Sequence, residues 1–294
     1  MTKKLLSMTL MTIFLLSCNL LTAQEYCSFD EVNKKFLSEN PELKKMVDIS
    51  NAEVTQSMKS GKALYKGNVI YEIPVVVHVF TDNSALGSLG NPTDEQIQEW
   101  IDFTNALYAN TYYQNNNSAV FPFRLVLAKR SPSCEETNGI LRFDYSANQD
   151  YNDFGLRYKS AKGVTEAQLR AKSRWDPSSY YNIYVTNKID GFNGTSGSGT
   201  NGFAYLFGAA GGATDGAYHH AGVVGKGKPT LGHEFGHALG LYHAFGQEES
   251  TTACQTTSAS DPFNTGDLVA DTAPKINGNY YRKVYGVTRP TSAT

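Results

Sequence analysis

His233-Glu234-Phe235-Gly236-His237-Ala238-Leu239-Gly240-Leu241-Tyr242-His243 is the stretch from which the fold of this 294-residue chain is read. On a helix, residues four apart share a face, so His233 and His237 aim both imidazoles at one ion. Glu234 follows the first of them and points at a water on the metal rather than at the metal. Gly240 adopts positive φ at little cost, which ends the helix and turns the chain back. That turn delivers His243 as a third ligand. Three protein ligands and an open fourth position mark a catalytic rather than a structural zinc site. An amphipathic core helix with incidental histidines explains the i, i+4 spacing. It does not explain the carboxylate, the glycine and the third histidine at their fixed offsets.

Working outward, the rest of the composition is that of an ordinary globular protein, 40% hydrophobic and 18% charged. The length suits one catalytic domain with a small accessory segment. A net charge of −2, with no basic stripe, argues against a nucleic-acid partner. The glycine-rich span 191–227 contains no G-x-x-x-x-G-K-[ST], so a phosphate cradle is not expected.

Residues 1–24 read as a signal peptide, with Lys3 and Lys4 before the apolar run Leu5–Leu16. That run is short for a membrane span, and no later stretch is long and apolar enough. Two exits are open. Leu15-Leu16-Ser17-Cys18 resembles a lipobox, which would leave a lipid anchor at Cys18 and a surface-anchored lipoprotein. Cleavage near Ala23-Gln24 would release a secreted, extracellular protein. Cys27, Cys134 and Cys254 remain after export. An odd count leaves at least one thiol without an intramolecular disulfide partner, and whether Cys134 pairs with Cys254 stays open.

Residues 25–66 are polar and rich in Lys and Glu, and read as a short helical pro-segment. The β-branched run Asn68–Phe80 predicts a buried strand, with His78 as a core or sheet-face residue. Thr93-Asp94-Glu95-Gln96 is a capping box opening a helix, with Ile97, Trp100, Ile101, Leu107 and Tyr108 on its apolar stripe. Phe121–Ala128 is a second strand, and Thr137–Ile140 a turn into another. A second capping box at Thr165–Gln168 starts a helix that stops before Asp176-Pro177. Tyr181–Thr186 is a further strand. A short strand over Gly202–Phe207 is expected beside the metal helix. Its unpaired edge, at Phe203, Ala204 and Tyr205, is a candidate to receive substrate as an added strand. His219 and His220 are expected on a solvated loop. Pro229 sits at the first turn of the metal helix, where a missing N–H costs little. Gly232 and Gly236 weaken that helix and are expected to permit close backbone packing.

These segments resemble the pappalysin (cytophagalysin) family of metzincin zinc endopeptidases. The resemblance is carried in order by Ile73-Pro74-Val75-Val76-Val77-His78-Val79, Thr137-Asn138-Gly139-Ile140, Asn182-Ile183-Tyr184-Val185, Gly202-Phe203-Ala204 and Asp215-Gly216. Thr230-Leu231-Gly232 running into His233–His243 and Gly266-Asp267-Leu268-Val269-Ala270-Asp271-Thr272 complete it. It implies an α/β (α+β) metzincin-like catalytic domain over residues 67–294. The expected core is a mixed twisted sheet with two main helices, followed by a short irregular C-terminal subdomain. It also implies a zinc-dependent endopeptidase of protein or peptide substrates. His233, His237 and His243 would hold Zn2+, and Glu234 would act as general base on a metal-activated water. Asp267 and Asp271 match a calcium-binding loop, with a solvated turn as the competing account. Cys27 is placed to act as a latency cysteine of a zymogen, although the Gly that usually follows is absent.

The pattern also breaks. Metzincins carry a Met-containing turn beneath the zinc, yet no Met follows Met58 here, so the domain reads as truncated. The alternative function is therefore a catalytically weak zinc-binding remnant acting as a surface binding protein. A glutamate as third ligand is disfavoured by the offset of His243. The first Arg is Arg124, so the pro-segment offers only lysines such as Lys59, Lys62 and Lys66 for cleavage by a basic-residue specificity.

Overall fold

The computed structural model describes residues 24–60, 70–113, 120–206 and 211–243. Cys18, Cys254, Lys62, Lys66, Asp267 and Asp271 lie outside the described residues, as do the signal segment and everything expected beyond His243.

The β-branched run becomes the central strand. Strand β2 (Tyr71–Thr81) is buried continuously from Val75 to Phe80. It is flanked by parallel strands, as an uninterrupted apolar run implies. On one side β5 (Tyr181–Thr186) pairs with it, Val77 opposite Ile183. On the other, β3 (Phe123–Leu127) pairs with its first half and β4 (Ile140–Asp144) with its second. Gly139, at φ +75°, makes the turn into β4; a Cβ there would meet the backbone of Ala128 at 2.7 Å.

Beyond β5 comes β7 (Ala217–His220), parallel to it, and then β6 (Ser198–Ala204), antiparallel to β7. The last strand is β1 (Gln24–Cys27), which pairs parallel with β6. Among the described residues seven strands thus form one mixed sheet, in the order β1-β6-β7-β5-β2-β3 with β4 beside β2.

Two layers cover the sheet. Helix α1 (Phe29–Glu39) and helix α2 (Pro41–Lys59) make up the helical N-terminal segment. Helix α3 (Asp94–Tyr108) begins at a complete capping box, Thr93 Oγ1 accepting from Gln96 N and Gln96 Oε1 accepting from Thr93 N. Its buried face, Ile97, Trp100 and Ile101, packs on Val75, Val77 and Val79 together with Leu231 and Phe235 of helix α6 (Thr230–Ala238). The opposite face carries α4 (Gln149–Phe154) and α5 (Glu166–Ser173), which sequence reasoning found in the second case only. Helix α5 has the expected capping box at Thr165 and Gln168.

On that second face a row of rings crosses the sheet in register. His78 stacks on Tyr184 at 5.0 Å, Tyr184 on Tyr218 at 4.7 Å, and Tyr218 on Phe203 at 5.0 Å. The expected core role of His78 therefore holds. Its Nε2 meets Asn182 Oδ1 at 2.8 Å, and burial lowers its pKa to about 4, so it stays neutral.

His219 and His220 overturn the loop expectation. Both lie in β7 and are fully buried. The glycine-rich flanks hid a four-residue strand too short for its alternation to stand out. Gly202 is what admits His219: a Cβ there would sit 2.6 Å from His219 Nδ1. Burial holds His219 neutral, its pKa lowered to about 3.

Candidate metal centre

Helix α6 delivers the cluster. It packs between α3 and strands β6 and β7, and Tyr108 Oη donates to Gly232 O at 2.7 Å, tying it to α3. The helix ends as the sequence implies. Gly240 has φ +96°, and its N–H reaches back to His237 O at 2.9 Å. The expected tight packing at its inner glycines is only partly found. A Cβ at Gly232 would meet Leu107 at an ordinary 3.4 Å, and one at Gly236 would meet Tyr108 Oη at 3.3 Å.

The turn brings three imidazoles together through their Nε2 atoms. These lie 3.1 Å apart for His237 and His233, 3.2 Å for His237 and His243, and 3.3 Å for His233 and His243. For metal–nitrogen bonds of about 2.0 Å, a tetrahedron has edges of about 3.3 Å, so the triangle fits one zinc ion. The outer nitrogens fix the tautomers. His237 Nδ1 donates to Leu241 O at 2.6 Å, and His243 Nδ1 donates to Asp30 Oδ2 at 2.8 Å. The inward Nε2 atoms thus present lone pairs, as ligation requires. Burial and the neighbouring imidazoles lower the pKa of His237 to about 2 and that of His233 to about 4.

Glu234 lies against this triangle, fully buried. Burial pushes its pKa up to about 8, against the opposing effect of the Cys27 thiol and the Ala204 backbone. Its Oε1 has no partner among the described residues, and Oε2 accepts from Cys27 Sγ at 3.3 Å. Burial and the Glu234 carboxylate push the Cys27 thiol well up in the absence of metal. Donor atoms of Cys27, His233, His237 and His243 all lie within 4.8 Å of one another.

The expected free substrate edge is occupied. β1 covers β6, with Cys27 opposite Gly202 and Ser28 N donating to Gly202 O at 3.3 Å. Farther along, the Asn33 side chain donates to Ala204 O at 3.2 Å and accepts from Leu206 N at 3.0 Å, as a peptide unit would. Of the candidate edge residues, Phe203 turns its ring to the opposite face. Tyr205 lies past the strand, its hydroxyl donating to Glu166 at 2.9 Å. Only Ala204 lies on the metal side. Phe29, Asp30 and Asn33 were missed by sequence reasoning. The nearest signal was an aspartate three residues after a candidate metal-binding cysteine.

The family model described as peptidase M43, pregnancy-associated plasma protein-A, matches residues 163–285, which hold β5 to α6 and the whole histidine motif. Over those residues the chain is similar to the pappalysin family. That match supports a zinc metalloendopeptidase, and the metzincin-like fold class read from the sequence stands. Among solved structures, this chain is similar in fold to a promirolysin mutant from Tannerella forsythia. The two are 20% identical, with a TM-score of 0.53, over 86% of this chain and 85% of that one. Mature mirolysin from the same organism, solved with a cleaved peptide, is 23% identical over 72% of this chain and 83% of that one, at a TM-score of 0.47. No curated protein matches this chain. Among the described residues, no helix is long and apolar enough to cross a membrane, and Cys27 and Cys134 are free thiols.

Proposed function

We propose that this chain is a secreted zinc endopeptidase of protein substrates, made as a zymogen, with residues 25–66 as its pro-segment. His233, His237 and His243 hold the metal and Glu234 is the general base. Zinc supplies a water of near-neutral pKa and a Lewis acid for the scissile carbonyl. Glu234 takes a proton through its unpartnered Oε1 and returns it to the leaving amine. Burial raises its proton affinity, which suits the abstraction step. The backbone of β6 at Gly202 and Ala204 orients an extended peptide by main-chain pairing. Cys27 keeps the intact chain latent by covering Glu234 and standing where a fourth ligand belongs.

The observation that carries this reading is the convergence of three Nε2 atoms beside a carboxylate oxygen that no group among the described residues satisfies. Export rests on Lys3, Lys4 and the apolar run that follows, with a lipid anchor at Cys18 as the variant form. Calcium at Asp267 and Asp271 rests on resemblance alone.

Casein degradation by the matured protein tests the reading. A chelator should abolish it, and Glu234→Ala should lower it by about 100-fold or more while bound zinc stays stoichiometric. Cleavage by Glu234→Ala at the wild-type rate would refute the role. Full zinc binding with no cleavage of any substrate would instead favour the binding-protein remnant.

A further inference from the structure

The three histidines differ in where their outer nitrogens find support. His237 leans on Leu241 O, four residues on in its own turn. His243 leans on Asp30, which comes from the N-terminal segment 213 residues earlier. The two side chains meet at 2.8 Å and each is only 5% exposed. A carboxylate on the outer nitrogen of a metal-binding imidazole fixes its tautomer and ring orientation and raises its donor strength.

Neighbouring residues reinforce this arrangement. Phe29 stacks on His237 with centroids 3.6 Å apart and planes 9° apart, and meets His243 edge-on at 5.8 Å. Cys27 Sγ joins the histidine nitrogens within a common 4.8 Å. Four consecutive residues, Cys27 to Asp30, thus offer a fourth donor, a wall against two imidazoles and an anchor for the last one. Blocking the cleft needs the first two of these; the buried carboxylate behind a ligand acts on the imidazole itself.

We propose that Asp30 is a positioning residue for metal capture: the intact chain is the form that loads zinc, because Asp30 holds His243 in the ligating tautomer and orientation. This rests on the reading of His233, His237 and His243 as the zinc ligands. Zinc then enters a closed set of one cysteine and three histidines, and the open catalytic set arises only when the segment leaves.

The test measures zinc affinity of the full-length, uncleaved protein by competition with a chromophoric chelator. It compares wild type, Asp30→Ala, Asp30→Asn and Cys27→Ser. In parallel, the thiolate-to-metal charge-transfer band of the cobalt-substituted proteins reports whether Cys27 still reaches the metal. Asp30→Ala should weaken zinc binding by about 10- to 100-fold with the band retained. Asp30→Asn should fall between, since its amide oxygen accepts the Nδ1 proton without the charge. An Asp30→Ala affinity within about threefold of wild type overturns the proposal. So does loss of the band in both Asp30 variants with affinities equal to that of Cys27→Ser, because Asp30 would then only dock the segment. A wild-type chain that binds no zinc would refute the ligand assignment itself, a separate failure.

Discussion

Replacing Gly202 by alanine tests the packing that sets β6 against the metal helix. The added Cβ would lie 2.6 Å from His219 Nδ1 and 2.7 Å from Tyr218 O. Both are closer than packed carbons tolerate, and the second atom is backbone. The imidazole cannot simply swing away, because it is fully buried with Trp100 edge-on at 4.8 Å. Overpacking of this kind costs about 1–3 kcal/mol, while the stiffer unfolded chain returns about 0.4–1 kcal/mol. The net loss is about 1–2 kcal/mol. In a domain of this size that lowers Tm by about 3–6 °C, measured by differential scanning calorimetry. Because one of the two clashes is with the imidazole, Gly202→Ala should cost about 1 kcal/mol less in a His219→Ala background. A Tm within about 1 °C of wild type would refute the reasoning. Equal losses in both backgrounds would show that His219 does not fill the space over Gly202.

Two further outcomes follow from the same geometry. His78 has a folded-state pKa of about 4 against about 6.5 unfolded, so the unfolded chain binds the extra proton between those values. Stability should therefore fall as pH drops from about 6.5 to 4, by on the order of 3 kcal/mol for this residue; urea midpoints across that range should lose part of their pH dependence in His78→Gln, and an unchanged dependence would refute it. Asn33→Ala removes two buried hydrogen bonds to Ala204 and Leu206, about 2 kcal/mol or roughly 30-fold in docking of the N-terminal segment. Peptide hydrolysis by the uncleaved chain should rise accordingly, and no rise would mean that these contacts do not hold the segment closed.

The legible parts of the fold were those written in local chemistry. Two capping boxes started α3 and α5 where expected, and the valine run of β2 declared a strand flanked on both sides. Tyr181–Thr186 was found to the residue. At the centre, the spacing of His233, Glu234, His237, Gly240 and His243 carried its own geometry, because helix pitch and one left-handed glycine determine where each side chain goes. What the sequence did not disclose was long-range. Nothing near His219 announces that Gly202 opens a space for it across a strand boundary. Nothing near residue 243 points to an aspartate at position 30, since that pairing depends on how α1 lies over the completed sheet. Phe203 and Tyr205 were chosen for their place along the strand. Alternation and the end of pairing then turned their side chains elsewhere.

The lateral closure of β6 has a consequence for handling the protein. With β7 on one flank and β1 on the other, β6 presents no free row of amides in the intact chain and cannot recruit a stranger's backbone there. Strip β1 away and a rim of hydrogen-bonding groups opens that does not discriminate between a meal and a sibling molecule. Ripened preparations should therefore self-digest or pair edge to edge as they are concentrated, while unripened ones store quietly.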